Sequence, residues 1–475
     1  MAVFNLDLPT FEQTFNVSKE DKLEYGEIYT PFSLIQKMLD LFDPIVFTLP
    51  DKRWLDVGAG RGYFSIALFD RLNRGLVLWQ PDEDRRKRHI VEKMLTLVEI
   101  KPSNVVALRE MFGIKATIIA GDFLADGASG AGASGAGASG TLPFDYVIGN
   151  PPYNTKGMKK VPTNKERNKK QDGTTSWNKF VIKSLALLKS ESGQLCFIIP
   201  SIWLKPDKAG MHLLLTRYKI EKMHCLTGTE TNLIFKGEAQ TPTCYFLLTK
   251  RDTNQIIHLY DVRRKAYVNF QHVGGSPIPM FGATIIQKLQ QWITLAGGSP
   301  LKVLKTNMPP LNSKFVETPY EKEYPYINIK SCLLERQQPV LLTNYSNTPQ
   351  AFQGIKKLVL AHKMYGFPYF DRTGNYGISN RDNYVITGKT DAEFMQLEAF
   401  LSTKLALYVF EAARYRMKYL EKYAFQFMPD ITRLNDFPVA ADITDDSVAD
   451  FFGLDDLDKQ HINSLHRREY NRFKV

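Results

Sequence analysis

Four consecutive residues, Asn150-Pro151-Pro152-Tyr153, carry the most specific chemistry in the chain. Two prolines fix the backbone and remove two N–H donors, so local carbonyls can face a ligand instead of pairing. An asparagine side-chain oxygen can accept one hydrogen of an exocyclic amine, and a prolyl carbonyl can accept the other. Drawing on both hydrogens moves such a nitrogen toward sp³ geometry and makes it nucleophilic. Tyr153 adds a ring on which a planar base could stack. A rigid turn with an incidental tyrosine would show the same letters. A second cluster, Asp56-Val57-Gly58-Ala59-Gly60-Arg61-Gly62, ends a short apolar run and precedes a helical one. Glycines let the backbone approach a ligand closely, and the following helix start presents free N–H groups. The cluster lacks the Lys-Ser/Thr of a phosphate loop and the full spacing of a dinucleotide fold. It implies a nucleotide-like ligand, or only a tight strand-to-helix turn.

These clusters need a frame. Apolar runs predict strands ending at Leu55, over Leu76–Gln80, Ala116–Ala120, Phe144–Gly149, Gln194–Ile199 and Thr243–Leu248. Helical patterns fall on Phe64–Leu72, on Arg86–Ile100 led by Asp82, Glu83 and Asp84, and on Trp177–Leu188. Acidic residues suit a helix N-terminus. Regular β/α alternation argues for a mostly parallel sheet with helices on both faces and ligands at the carboxyl ends of its strands. Both clusters sit at such ends, and so does Gly121-Asp122-Phe123. Residues 127–140 read GASGAGASGAGASG, a flexible, coreless run that looks like an engineered linker standing in for a loop.

The composition suits an ordinary globular protein: 475 residues, 44% hydrophobic, 23% charged. Cys196, Cys225, Cys244 and Cys332 form no C-x-x-C pair, which argues against a zinc ribbon or a disulfide scaffold and for a reducing compartment. No run is long and apolar enough to suggest a membrane span. Net charge is +11, and excess positive charge favours polyanions. The segment Lys156–Lys170 is strongly basic, with Lys156, Lys159, Lys160, Lys165, Arg167, Lys169 and Lys170 against Glu166 alone. Further on, basic and aromatic residues interleave, as in Lys356, Lys357, His362, Lys363, Tyr365, Phe367, Tyr369, Phe370, Arg372 and Tyr376. A helix predicted over Glu393–Tyr423 holds Arg414, Tyr415, Arg416, Lys418, Tyr419 and Lys422. Such residues could contact phosphates and bases, or could equally be core aromatics with a solvated charged face. Acidic residues in Asp442–Asp458 suggest a cap away from any polyanion.

The Asn-Pro-Pro-Tyr motif, the glycine turn and the upstream Tyr29-Thr30-Pro31-Phe32 resemble S-adenosylmethionine-dependent adenine-N6 DNA methyltransferases of restriction–modification type, gamma class. The resemblance covers roughly residues 25–250 well. It implies a Rossmann-like class I methyltransferase domain over 1–278 and an α+β target-recognition domain over 279–475. It assigns cofactor contacts to Tyr29, Thr30, Pro31, Asp56, Gly58, Gly60, Asp122, Phe123 and Asn150, and the catalytic face to Asn150, Pro151, Pro152 and Tyr153. Phe235 resembles a second aromatic holding a flipped base. Family members end the second strand with an acid that binds the ribose hydroxyls. Here that register falls on Gln80, with Asp82 two residues on. DNA contacts are expected from Lys156, Lys159, Lys160, Lys169 and Lys170. The resemblance implies S-adenosyl-L-methionine as cofactor, double-stranded DNA as substrate, no metal, no membrane, a monomer, and a separately encoded restriction endonuclease as partner. The setting would be the cytoplasm, or the nucleus for a eukaryotic virus. RNA adenine and protein glutamine are alternative acceptors for the same motif, and a DNA-binding protein with a decayed cofactor site is the non-enzymatic alternative.

Overall fold

The computed structural model describes residues 28–125, 142–155, 174–207, 209–318, 322–335, 338–362, 367–416 and 420–465. The linker-like run 127–140 and the basic segment 156–170 lie outside the described residues. The chain divides into two compact units. One runs to Tyr260 and includes Val273–Gly275; the other takes Asp261–His272 and everything from Ser276 on.

The first unit is built on a mixed sheet. Its strands are β1 (Trp54–Asp56), β2 (Leu95–Glu99), β3 (Thr117–Ala120), β4 (Tyr146–Gly149), β7 (Gln194–Pro200), β8 (Tyr218–Leu226), β9 (Thr243–Asp252) and β10 (Ile256–Asp261), in the order β10-β8-β9-β7-β4-β1-β2-β3. Strands β3, β2, β1, β4 and β7 run parallel, whereas β9 is antiparallel to both β7 and β8. A short antiparallel pair, β5 (Asn154–Thr155) and β6 (Thr174–Thr175), follows β4. Strands β1, β2 and β4 are buried throughout, as a parallel sheet covered by helices requires. Covering helices include α1 (Phe32–Leu39) against β7 and β9, α4 (Pro102–Phe112) against β2 and β3, and α5 (Trp177–Leu187) against β7. Helix α2 (Tyr63–Gly75) follows β1. Strand order reverses at β1, whose neighbours are β2 on one side and β4 on the other. Open α/β sheets bind ligands in the crevice beyond such a reversal.

One expected strand moves. Leu76–Gln80 is not a strand: it is a turn beyond α2, where Leu78 is 96% exposed. The predicted helix over Arg86–Ile100 breaks into α3 (Glu83–His89), a π turn over Ile90–Met94, and strand β2. Asp82 caps α3, its carboxylate accepting from the Arg85 N–H at 2.9 Å. The acid that closes β2 is therefore Glu99.

The second unit has two four-stranded sheets. One has the order β12 (Leu304–Lys305), β19 (Asn383–Ile386), β16 (Lys357–Ala361), β17 (Pro368–Asp371). The other has the order β13 (Phe315–Val316), β15 (Gln338–Ser346), β14 (Tyr326–Glu335), β18 (Gly377–Ile378). Ile329 and Cys332 of one sheet and Val359, Ala361 and Val385 of the other share an apolar core with Phe367 and Ile378. Strand β11 (Ala266–Gln271) belongs to this unit, as do helices α8 (Ala283–Leu295), α9 (Asp391–Leu401), α10 (Lys404–Ala412), α11 (Asp445–Phe451) and α12 (Asp456–Asn463). The long helix expected over Glu393–Tyr423 is interrupted after Leu401 and ends at Ala412. Part of the aromatic–basic interleaving is interior. Phe367, Phe370 and Tyr415 are buried, and the Tyr415 hydroxyl donates to the Ile278 carbonyl at 2.8 Å. Lys357 is fully buried, its Nζ 2.6 Å from the Asp371 carboxylate and bonded to the Phe352, Ile355 and Tyr376 carbonyls.

Candidate active site

The glycine turn is held from both sides. Val57 N–H donates to the Ile148 carbonyl of β4, and Ala59 N–H donates to the Val98 carbonyl of β2 at 3.0 Å. Gly60 and Gly62 adopt φ of 53° and 89°, a left-handed region costly for residues with a Cβ. Gly62 begins α2, and a Cβ there would meet Leu108 Cδ2 at 3.0 Å. At Gly58 a Cβ would meet nothing within 4 Å, because the turn faces an open cleft. Asp56 lies behind the turn rather than on the cleft wall. Its carboxylate accepts from Ser65 Oγ at 2.7 Å, and burial raises its pKa to about 6.

The cleft encloses about 1080 Å³ to its mouth. Gly58, Ala59 and Gly60 form its floor, and Glu99 stands beside them at the end of β2. Glu99 Oε2 accepts from Gly60 N–H and Oε1 from Lys101 N–H, both at 2.7 Å, so the carboxylate is fixed. Ile100, Phe123, Leu124 and Phe180 give an apolar wall with Asp122 at its edge. The Phe123 and Phe180 rings stack at 5.2 Å. Asp122 Oδ1 accepts from Leu124 N–H at 2.9 Å, which sets the turn. Tyr29, Thr30, Tyr63 and Phe64 close the other end, with Tyr29 stacked on Tyr63 at 5.0 Å. An apolar slot edged by two carboxylates beside a glycine turn suits an adenosyl group, with acceptors for its ribose hydroxyls and its base amine.

Asn150 stands at the carboxyl end of β4 and lines this cleft. It also lines a second, smaller pocket of about 260 Å³, with Ile28, Pro151, Tyr153, Phe235 and Ala239. Asn150 Nδ2 donates to Thr30 Oγ1 at 3.0 Å, while Asn150 Oδ1 is buried without a partner. The two prolines differ in availability. The Pro152 carbonyl accepts from Ser176 Oγ at 2.5 Å, whereas no donor among the described residues reaches that of Pro151. Ser176 N–H also donates to the Tyr153 carbonyl at 3.1 Å, so Ser176 ties the turn to the start of α5. The Tyr153 hydroxyl is buried without a partner, and burial pushes its pKa far above the usual phenol range. Phe235 ends helix α7 (Gly228–Ile234), which opens with a Thr227–Glu230 capping box.

The fold thus gathers Tyr29, Thr30, Gly58, Gly60, Asp122, Phe123, Asn150 and Pro152 around the cleft, and Pro151, Tyr153 and Phe235 with Asn150 around the small pocket. Gln80, Asp82, Pro31 and Asp56 are not on either wall. Pro31 instead precedes α1 as its N-cap. Lys156, Lys159, Lys160, Lys169 and Lys170 lie outside the described residues. Sequence reasoning missed Glu99, Tyr63, Ser176 and Phe180. A signal for Glu99 existed, since Leu95-Thr96-Leu97-Val98-Glu99 precedes a proline-started helix.

The fold is that of class I methyltransferases, and the cleft opens at the carboxyl ends of the strands, where such sheets hold a ligand. Residues 88–231 match the family described as Eco57I restriction-modification methylase. That stretch runs from α3 through the Asn-Pro-Pro-Tyr turn into α7 and is what the chain shares with that family. A Mycoplasma pneumoniae protein described as an uncharacterized adenine-specific methylase is 41% identical over 78 residues. The alignment covers 16% of this chain and only 18% of that relative's length. Among solved structures, the type IIL restriction-modification enzyme MmeI in complex with DNA shares the fold. The TM-score is 0.50 at 13% identity, over 86% of this chain and 69% of that one. A type I restriction-modification methyltransferase subunit from Streptococcus thermophilus matches at 18% identity over 51% of this chain and 50% of that one, with a TM-score of 0.33.

Proposed function

We propose that the protein methylates the N6 amino group of an adenine flipped out of duplex DNA at a specific site. The observation that carries this reading is the pair of open acceptors at the Asn-Pro-Pro-Tyr turn. Asn150 Oδ1 is buried and unpartnered, and no described donor reaches the Pro151 carbonyl, while Ser176 occupies that of Pro152. Two acceptors suit the two hydrogens of one exocyclic amine. The small pocket beyond them offers Tyr153 and Phe235 as rings for a planar base. Stacking on such a ring returns about 1–3 kcal/mol against the few kcal/mol spent on unpairing.

S-adenosylmethionine, when bound, supplies an activated methyl group. Glu99 is the residue positioned to accept from its ribose hydroxyls, in place of Gln80, and Asp122 the one to accept from its base amine. Gly58 and Gly60 let the backbone come close. On the other side of Asn150, the open acceptors orient the amine lone pair toward the cleft. Orientation and hydrogen bonding are what this chain contributes. The basic run Lys156–Lys170, which leaves the catalytic turn, is assigned to DNA phosphates, and the second unit to choosing the sequence.

The test is transfer of tritiated methyl groups to duplex DNA, with the product nucleoside identified by mass spectrometry. N6-methyladenine in one sequence context is expected, and Asn150→Ala should abolish it while cofactor binding persists. Labelling of RNA or protein but not DNA would overturn the reading.

A further inference from the structure

We propose that Thr30 is a positioning residue whose hydroxyl fixes the Asn150 amide in place, so that its oxygen can meet the reacting amine. The proposal rests on the adenine-N6 reading. An amide is nearly the same shape after a half-turn, but its two ends are chemically opposite. With the oxygen forward, Asn150 accepts an amine hydrogen. Turned the other way, it would set its own N–H donors against the hydrogens of the amine, and the lone pair would lose its alignment.

Among the described residues, Thr30 Oγ1 is the one group hydrogen-bonded to the Asn150 side chain, at 3.0 Å. With the oxygen committed to the amine, the bond to Thr30 runs from Nδ2 to the hydroxyl, which is the arrangement present. A hydroxyl can also donate, so Thr30 fixes where the amide sits and the hydrogens of the amine select its oxygen end. Thr30 is well placed for this. It is 3% exposed and follows Tyr29, whose ring stacks on Tyr63. Pro31 comes next, and its carbonyl accepts from the Leu34 and Ile35 N–H groups at the start of α1. A β-branched side chain on such a base has little rotamer freedom. Ser176 performs the matching service on the other side of the turn, where it holds the Pro152 carbonyl and Tyr153 carbonyl. Thr30 and Ser176 are 146 positions apart in the chain by number, yet both hold the same four-residue turn.

The test compares Thr30→Val, which keeps the shape and removes the hydroxyl, with Thr30→Ser, which keeps the hydroxyl. Full-length proteins are used, with kcat and KM for duplex DNA and calorimetric affinity for S-adenosylmethionine. Thr30→Val should lower kcat about tenfold to a hundredfold, the scale of misplacing a reacting group. Thr30 also borders the cleft, so cofactor affinity can fall too, but kcat should fall several-fold further, and Thr30→Ser should recover most of the rate. In the free protein, slowed hydrogen exchange of the Asn150 side-chain amide, assigned by its loss in Asn150→Ala, should be present in wild type and Thr30→Ser and absent in Thr30→Val. An unchanged kcat in Thr30→Val would overturn the proposal. So would cofactor affinity falling as far as kcat, which would make Thr30 a cofactor contact, or a failure of serine to rescue. If the wild-type protein methylates no DNA, the functional reading falls instead, and the amide exchange still decides whether Thr30 holds Asn150.

Discussion

At the scale of single residues, the Asn-Pro-Pro-Tyr turn stood out because its letters are contiguous. Asn150, Pro151 and Tyr153 need only a turn to present them, and two prolines make one. The place of Glu99 on the cleft wall was not legible, because it depends on which run forms the second strand. Two expectations follow. Glu99→Gln should weaken S-adenosylmethionine binding about tenfold through loss of a charge-assisted bond, whereas Gln80→Glu should leave it unchanged, both read by calorimetry. A gain in affinity from Gln80→Glu would return the ribose contact to the turn beyond α2. Tyr153→Phe should keep near wild-type turnover, since the buried hydroxyl has no hydrogen-bond partner among the described residues, while Tyr153→Ala should cripple it. Equal damage from both substitutions would show that the ring alone is not what the site uses.

At the scale of elements, hydrophobicity misled where it was strongest. Leu76-Val77-Leu78-Trp79 is an unbroken apolar run, yet Val77, Leu78 and Trp79 are all exposed, and the Trp79 ring lies 4.5 Å from that of His89. The true second strand, Leu95–Glu99, adjoins a π turn and a helix, so its letters read as one long helical pattern. By contrast β3, β4, β7 and β9 are bounded by glycine, proline or polar turns and were found to within a few residues. The buried Asp56 ties the turn after β1 to pH. Burial raises its pKa from 3.8 to about 6, so the folded state favours the protonated form. Its contribution is full below pH 4 and is lost as pH rises through about 6. Asp56→Asn should therefore match wild type in unfolding free energy near pH 4 and exceed it at pH 7, by an amount on the order of 2–3 kcal/mol, read by denaturant titration. A wild-type advantage at pH 7 would mean that the charge is well solvated or paired in the fold.

At the scale of the molecule, the sequence conveyed an α/β unit followed by an α+β unit, and placed their boundary near 278. The contacts place the segment Asp261–His272 with the second unit instead. The interleaved aromatic and basic residues illustrate why composition could not describe that unit's surface. Phe367 and Phe370 build its interior, and Lys357 is sealed within it. Lys357 and Asp371 form a buried pair whose remaining hydrogen-bonding capacity is met by backbone groups. Replacing only the cation leaves a buried carboxylate uncompensated, a loss of about 3–5 kcal/mol. Lys357→Met should lower the melting of the second unit and abolish DNA affinity while S-adenosylmethionine still binds. Equal loss of cofactor binding would show that the two units unfold together.

Asn150 and Ile28 border both cavities, so these two residues form the wall the cavities share. A single small molecule could bridge that wall: an adenosyl group in the cleft, joined by a short tether to an adenine lodged against Tyr153 and Phe235. Each half would raise the local concentration of the other. Inhibitors of this bisubstrate form would discriminate against enzymes that possess only the adenosyl cleft, because half of their grip depends on a pocket those enzymes lack.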